Sequence, residues 1–245
     1  MKIDLSIVYY TSNWLETANP YFLNNTKNQL LKAADGLPII SVSHKPMDFG
    51  HNICVGDIGR SHLNIYRQIL RGCQEAWTDY VAMAEDDILY SHEHFHPEIP
   101  DRWKGRDMFI YDMAKLSIFT WTNPPLLSFR NKRRVVNHLI VPRLMMIEYL
   151  NERFDRINYL IRTSGRGEDY WIKYWGDPGR YDTILGVKPR EVDEIFSDVP
   201  GIVFTHEHAF GYLNHGRRKR LGDIRIIEVP YWGKAEDLLR LYYEK

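Results

Sequence analysis

Three consecutive carboxylates, Glu85-Asp86-Asp87, stand between two apolar stretches, Tyr80-Val81-Ala82-Met83-Ala84 before them and Ile88-Leu89-Tyr90 after. The first stretch has the composition of a buried strand, so the acids fall at its C-terminal end. Carboxylates crowded there repel one another and raise each other's pKa unless a divalent cation or bound ligand takes up the charge. Hard oxygen ligands suit Mn2+ or Mg2+, and magnesium commonly binds through one or two carboxylates plus substrate phosphates. Open α/β sheets hold their ligands in the same region, beyond the carboxyl ends of the strands. The competing reading is a solvated acidic turn.

A second constellation is Gly165-Arg166-Gly167-Glu168-Asp169-Tyr170-Trp171. Its Glu168-Asp169 pair falls in the first turn of an expected helix continuing through Ile172 and Tyr174, where the helix dipole favours carboxylates. The chemical reading makes one of the two a general base, held close to the hydroxyl it deprotonates. Histidines are numerous. His206 and His208 follow the strand-like Ile202 to Thr205, His215 precedes an arginine-rich run, and a histidine past a strand end could complete a metal shell begun by Asp87. His92, His94 and His96 alternate, which on an extended segment puts all three on one side. That spacing could suggest zinc, but the acidic surroundings and the lack of a cysteine partner favour a mobile loop beside the site.

Positive charge is clustered. Arg130, Lys132, Arg133 and Arg134 form one group, and Arg217, Arg218, Lys219 and Arg220 another. The second is either solvated surface charge or a clamp for phosphates, whose oxygens match arginine's forked donors. The 7 tryptophans and 16 tyrosines suit stacking on a base or sugar and equally suit ordinary core packing.

Positioning these groups requires a scaffold, and its first half is regular. Leu5 to Tyr10 reads as a buried strand ending in Thr11-Ser12-Asn13, Asn25 to Ala34 as a helix closed by Asp35-Gly36, and Pro38 to Val42 as a strand. Ser61 to Trp77 is the clearest helix, with Leu63, Tyr66, Ile69, Leu70 and Cys73 at helical spacing. It leads through Thr78-Asp79 into the strand bearing the acids. This alternation is that of an α/β unit with a largely parallel sheet. Beyond it, Met108 to Tyr111, Leu116 to Trp121 and Val135 to Val141 read as strands, and Pro142 as opening a helix to about Phe154.

A chain of 245 residues, 44% hydrophobic and 26% charged, has the composition of a globular protein with a sizeable core. Lysine plus arginine equals aspartate plus glutamate, 32 against 32, so net charge does not point to a polyanionic partner. Cys54 and Cys73 make no disulfide framework, and Cys73 falls on an apolar helix face, where a buried thiol is expected. No stretch is long and apolar enough to span a membrane, and the N-terminus lacks a signal-peptide profile, so a cytoplasmic setting is the expectation.

Together these segments resemble a GT-A glycosyltransferase. Gly59-Arg60-Ser61-His62-Leu63-Asn64 through Ala76-Trp77-Thr78-Asp79-Tyr80-Val81-Ala82 is similar to the helix and strand leading into that fold's DXD motif, which Glu85-Asp86-Asp87 would supply. Gly167-Glu168-Asp169 resembles the family's xED motif, whose aspartate is usually the base in inverting members. His206 or a near neighbour would stand for the late metal-binding histidine, and Tyr10-Thr11-Ser12 for the loop that holds the nucleotide. The first acidic position is Glu where the family usually has Asp; of the three, the resemblance makes Asp87 the expected metal ligand and Asp86 the expected contact to the nucleotide's sugar.

The resemblance implies one GT-A-like domain over 1–245, a Rossmann-type, mostly parallel sheet flanked by helices with an elaborated second half. Residues 1–90 would be the nucleotide-binding half and 91–245 the acceptor side. It also implies a transferase using Mn2+ or Mg2+ to move a sugar from a nucleotide-sugar donor to a hydroxyl acceptor. Arg217, Arg218 and Arg220 would help hold the diphosphate. A hydroxymethylated DNA base, flipped from its stack, and a saccharide or lipid-linked acceptor are both compatible with the motifs. The rival readings are a metal-dependent phosphoester hydrolase and a non-catalytic nucleic-acid-binding protein that uses the basic clusters.

Overall fold

The computed structural model describes residues 3–98, 100–103, 105–129, 133–206, 209, 223–225 and 227–243. His208, His215, Arg130, Lys132 and the run Arg217, Arg218, Lys219 and Arg220 lie outside the described residues. In chain order the strands are β1 (Leu5–Thr11), β2 (Ile39–Ser43), β3 (His51–Cys54), β4 (Tyr80–Ala84), β5 (Ile88–Leu89), β6 (Met108–Asp112), β7 (Lys115–Phe119), β8 (Leu126–Phe129), β9 (Leu139–Pro142), β10 (Glu191–Ile195), β11 (Gly201–Thr205) and β12 (Asp223–Arg225). The helices used below are α1 (Trp14–Ala18), α2 (Pro20–Ala34), α3 (His62–Glu75), α4 (His92–Phe95), α5 (Arg143–Thr163) and α6 (Glu168–Ile172).

The central sheet has seven strands in the order β10-β6-β9-β4-β1-β2-β3, with β9 alone antiparallel to its neighbours. β1 is buried along its whole length because both faces are covered, as parallel strands require. Side chains alternate across it. Val8 and Tyr10 join a core with Leu63, Tyr66, Ile69 and Cys73 of α3 and Met145 and Tyr149 of α5. Leu5, Ile7 and Tyr9 join the opposite core with Leu30, Ala33 and Ala34 of α2. α3 closes tightly on β1 at Gly72, where an added Cβ would lie 2.5 Å from Val8 Cγ1. Ser61 caps α3 by accepting from the Asn64 amide at 3.1 Å. The Cys73 thiol is fully buried, which pushes its pKa up to about 12.

A second sheet, ordered β12-β8-β7-β11-β5, packs a third core with α1, α2 and the last helix, Ala235–Tyr243. Within it β7 and β11 run parallel and β5 pairs antiparallel with β11. This gives the α/β architecture, a mostly parallel sheet flanked by helices with an elaborated second half. Among the described residues no helix is long and apolar enough to cross a membrane.

Three expectations need correction. Val135 to Val141 is not one strand: Val136–His138 forms a 3-10 turn before β9, because an apolar run alone does not separate the two. Pro142 ends β9 and stands at the N-cap of α5, and that helix continues to Thr163, well past Phe154. The segment of alternating histidines is the short helix α4, so His94 turns inward while His92 and His96 share the outer face.

His94 is buried, its Nδ1 3.1 Å from Asp112 Oδ2 at the end of β6. Burial opposes ionisation of Asp112. Hydrogen bonds and charge from His94, the nearby His138 and the Ser197 hydroxyl outweigh it, holding the carboxyl well below the usual range. The Ala114 amide also donates to this carboxylate, at 2.9 Å. A depressed folded-state pKa contributes stability that is complete above the unfolded value of about 3.9 and lost as pH falls towards the folded value. Asp112→Ala is expected to cost about 1–3 kcal/mol at neutral pH, the usual cost of leaving a buried donor without its acceptor. Asp112→Asn is expected to flatten the acid limb of the stability curve. Denaturant midpoints from pH 7 to pH 3 check both, and an unchanged acid limb would remove Asp112 from the account.

Candidate functional site

β1 and β4 lie side by side and parallel, with Tyr9 opposite Ala84. The register therefore delivers Tyr10 and Thr11 next to the acids that follow β4. Tyr10 Oη donates to Glu85 Oε1 at 2.8 Å, and Thr11 Oγ1 donates to Asp86 Oδ2 at 2.6 Å. Glu85 also accepts from Asn137 Nδ2 at 2.7 Å, while its amide donates to the Tyr90 hydroxyl, itself bonded to the Asn137 carbonyl. From α2, Thr26 Oγ1 donates to the Asp86 carbonyl at 2.9 Å. The acidic turn is thus fixed from three sides.

The second sheet supplies the remaining piece. β11 pairs with β5, and the Phe204 amide donates to the Asp87 carbonyl at 3.0 Å. His206, the residue just past β11, then stands with Nε2 3.5 Å from Asp87 Oδ2. Its ring stacks on Trp14, with centroids 5.8 Å apart and planes 5° from parallel. The Asp87 Oδ1 atom is buried and lacks a hydrogen-bond partner among the described residues. Burial first, and the negative charge of Asp87 second, push Glu85 up to about 8 and Asp86 up to about 6. Such a cluster is costly on its own, and positive charge at Asp87 would relieve it.

These groups line a cavity of about 490 Å³ to which both halves of the chain contribute. Tyr10, Thr11, Ser12, Glu85, Asp86, Asp87 and His206 belong to it. So do the cations Arg60, Arg133, Lys173 and Arg180, and the carboxylate Asp177. Asn13 shapes one edge: its left-handed backbone, φ 57°, suits asparagine, its amide donates to Thr11 Oγ1, and its side chain accepts from the Lys45 amide.

The far wall depends on a buried arginine. Arg153 of α5 is fully buried, with its guanidinium 5.2–5.7 Å from the ring centroids of Tyr66, Tyr149 and Trp175. It donates to the carbonyls of Tyr174 and Gly176 at 2.9 and 3.0 Å, fixing the segment that carries Asp177 and Arg180. Asp177 Oδ1 accepts from the Val136 amide at 3.0 Å, and its Oδ2 lies 4.0 Å from Arg180 Nη1.

Glu168 and Asp169 do begin a helix, α6, but both are exposed and neither lines the cavity. Their segment runs into the one that does, since Lys173 and Asp177 follow within the same stretch. Sequence reasoning passed over Asn137, Asp177, Lys173 and Arg180. A Gly-Asp-Pro turn at Gly176-Asp177-Pro178 was the available signal for Asp177.

No protein-family model matches the chain, and no curated protein matches it. Similar solved structures are glycosyltransferases and nucleotidyltransferases. One is a glycosyltransferase involved in glycosylation of the major capsid of PBCV-1, at 10% identity and TM-score 0.46, with 82% of this chain and 93% of that one covered. Another is a 2-C-methyl-D-erythritol 4-phosphate cytidylyltransferase from Thermus thermophilus, at 9% identity and TM-score 0.43, covering 83% and 94%. A third is a Drosophila β1,4-galactosyltransferase 7 in complex with manganese, UDP-Gal and xylobiose, at 13% identity and TM-score 0.38, covering 89% and 77%. The chemistry of the site rests on the residues described above.

Proposed function

We propose that this chain is a metal-dependent glycosyltransferase that moves a sugar from a nucleotide-sugar donor to a hydroxyl acceptor. The observation that carries the reading is the meeting of Asp87 and His206, from strand ends in two different sheets, in a cavity lined by both carboxylates and cations. An orphaned Asp87 oxygen beside an imidazole is a donor set that fits Mn2+ better than Mg2+, which would rely on the carboxylate and donor phosphates alone. Two protein ligands leave the rest of the shell to waters and donor phosphates. When bound there, the cation supplies charge that stabilises the departing diphosphate.

The chain's own residues do the rest. Tyr10, Thr11 and Ser12 form the donor-side edge, and Asp86, oriented by Thr11, is set to accept from the nucleotide's sugar hydroxyls. Arg60, Arg133, Lys173 and Arg180 are available to the phosphates. Arg217, Arg218 and Arg220, and His208 as a further ligand, are kept as contributors from outside the described residues. We assign the base to Asp177, the carboxylate that lines the cavity away from the acidic turn, with Asp169 and Glu168 as its competitors. The base takes the acceptor's proton as the acceptor oxygen bonds to the sugar's anomeric carbon, and the bond from that carbon to the diphosphate breaks. A hydroxymethylated DNA base and a saccharide are the two acceptor classes. Salt-dependent retention of duplex DNA on filters separates them.

Product analysis with nucleotide sugars and Mn2+, with and without acceptor, tests the reading. Glycosylated acceptor plus nucleoside diphosphate is expected. Release of phosphate from simple esters, with no transfer, would replace it with the hydrolase reading.

A further inference from the structure

We infer that Asp35, His92 and His96 form a second cation site, on the surface and separate from the acidic cavity, for an imidazole-preferring transition-metal ion such as Zn2+. Among the described residues they are the grouping of three histidine, cysteine or acidic side chains whose donor atoms all lie within 4.8 Å of one another. The inference is independent of the glycosyltransferase reading.

The local fold builds this juxtaposition. In α4, residues four apart share a face, so His92 and the C-capping His96 stack with centroids 4.0 Å apart and planes 17° from parallel. His94 points the other way and is pinned by Asp112, which sets the rotation of α4 and so the direction of the outer pair. Asp35 caps the C-terminus of α2 in a left-handed conformation, with φ 44°, and its Oδ2 lies 3.6 Å from His92 Nε2. His96 Nε2 lies 3.1 Å from the Ala34 carbonyl. Donation to that carbonyl puts the proton on Nε2 and makes Nδ1 the lone-pair nitrogen. This is the outer-shell bond that usually orients a metal-binding histidine. The negative end of the α2 dipole adds to the attraction for a cation.

Two imidazoles and one carboxylate suit zinc and leave its fourth position to water. Ligand bonds of about 2.0–2.2 Å need the donors drawn to roughly 3.3 Å apart. Asp35 and His92, with side chains 70% and 56% exposed, have room to move, and the His92 ring would turn out of its stack on His96 so that the in-plane lone pairs of both rings converge on one ion. A bound ion would tie the end of α2 to α4. The same α2 holds the acidic turn through Thr26 and the Tyr90 carbonyl through Gln29 Nε2, at 2.9 and 3.1 Å. The clip would therefore brace the element that positions the cavity's carboxylates.

The test uses chelator-stripped full chain titrated with Zn2+ by calorimetry, and with Co2+ by absorption. The Asp87→Ala/His206→Ala variant, which lacks the cavity ligands, is expected to keep one zinc equivalent and gain several degrees in Tm at saturating Zn2+. His92→Gln/His96→Gln is expected to weaken that equivalent at least about a hundredfold and lose the Tm gain, read against the variant's own metal-free Tm because His96 is partly buried and bonded to the Ala34 carbonyl. Asp35→Asn should weaken it less. Zinc stoichiometry and affinity unaffected by His92→Gln/His96→Gln, or absent from Asp87→Ala/His206→Ala, would overturn the site.

Discussion

Asp87→Ala is expected to abolish cation-dependent binding of nucleoside diphosphate while the protein keeps its fold. Asp87 combines a half-buried position, an oxygen without a hydrogen-bond partner among the described residues and a histidine 3.5 Å away. Loss of a residue that merely orients a metal ligand typically costs about 10–100-fold in affinity, so loss of a ligand should exceed about a hundredfold. Calorimetric titration of a nucleoside diphosphate with Mn2+, beside a thermal melt, measures both quantities. Removing one of three mutually repelling carboxylates should leave Tm equal or raised, since Asp87 raises the pKa of both Glu85 and Asp86. Unchanged nucleotide affinity would move the cation elsewhere.

The second large effect is on turnover. Asp177→Asn is expected to lower the rate about a hundredfold to ten-thousandfold with donor affinity held within a few-fold, as loss of a general base does. Asparagine keeps the oxygen that accepts from the Val136 amide, so the loop that Arg153 holds should survive the change. Asp169→Asn, at an exposed helix start, is expected to stay within a few-fold of the parent. Single-turnover rates for the two variants decide between them. If Asp169→Asn instead carries the loss and Asp177→Asn does not, the base belongs to the α6 pair.

What the sequence made legible follows from how each element is stabilised. β1 and β4 declare themselves because their burial is nearly complete, and α3 because its apolar face recurs at helical spacing behind a serine cap. α2 begins at Pro20 rather than at Asn25: Asn19 caps it, Pro20 sets its first turn, and Phe22 and Leu23 extend the buried face that continues to Leu30. β3 and β10 were invisible: His51–Cys54 and Glu191–Ile195 are edge strands with polar, partly exposed sequences. The short α4 was hidden by alternation, a period that four residues cannot distinguish from a helical turn.

The site divides the same way. The acids are consecutive and follow a buried strand, so local sequence marks them. Their partners Asn137 and His206 come from elsewhere in the chain, and only the pairing of β4 with β9 and of β5 with β11 brings them in. Asp177 depends on Arg153, which in sequence is one more arginine on a long helix. Its full burial among three aromatic rings is a tertiary fact with no local signature.

The central claim is that the cavity binds a nucleotide through a cation held at Asp87 and His206. Its most direct measurement is calorimetric titration of the wild-type chain with nucleoside diphosphates, run with Mn2+ and again with chelator. Binding of at least one nucleoside diphosphate with Mn2+, lost with chelator and lost in His206→Ala, is the predicted result. Equal affinity with and without the cation, or no nucleotide binding under either condition, would contradict it.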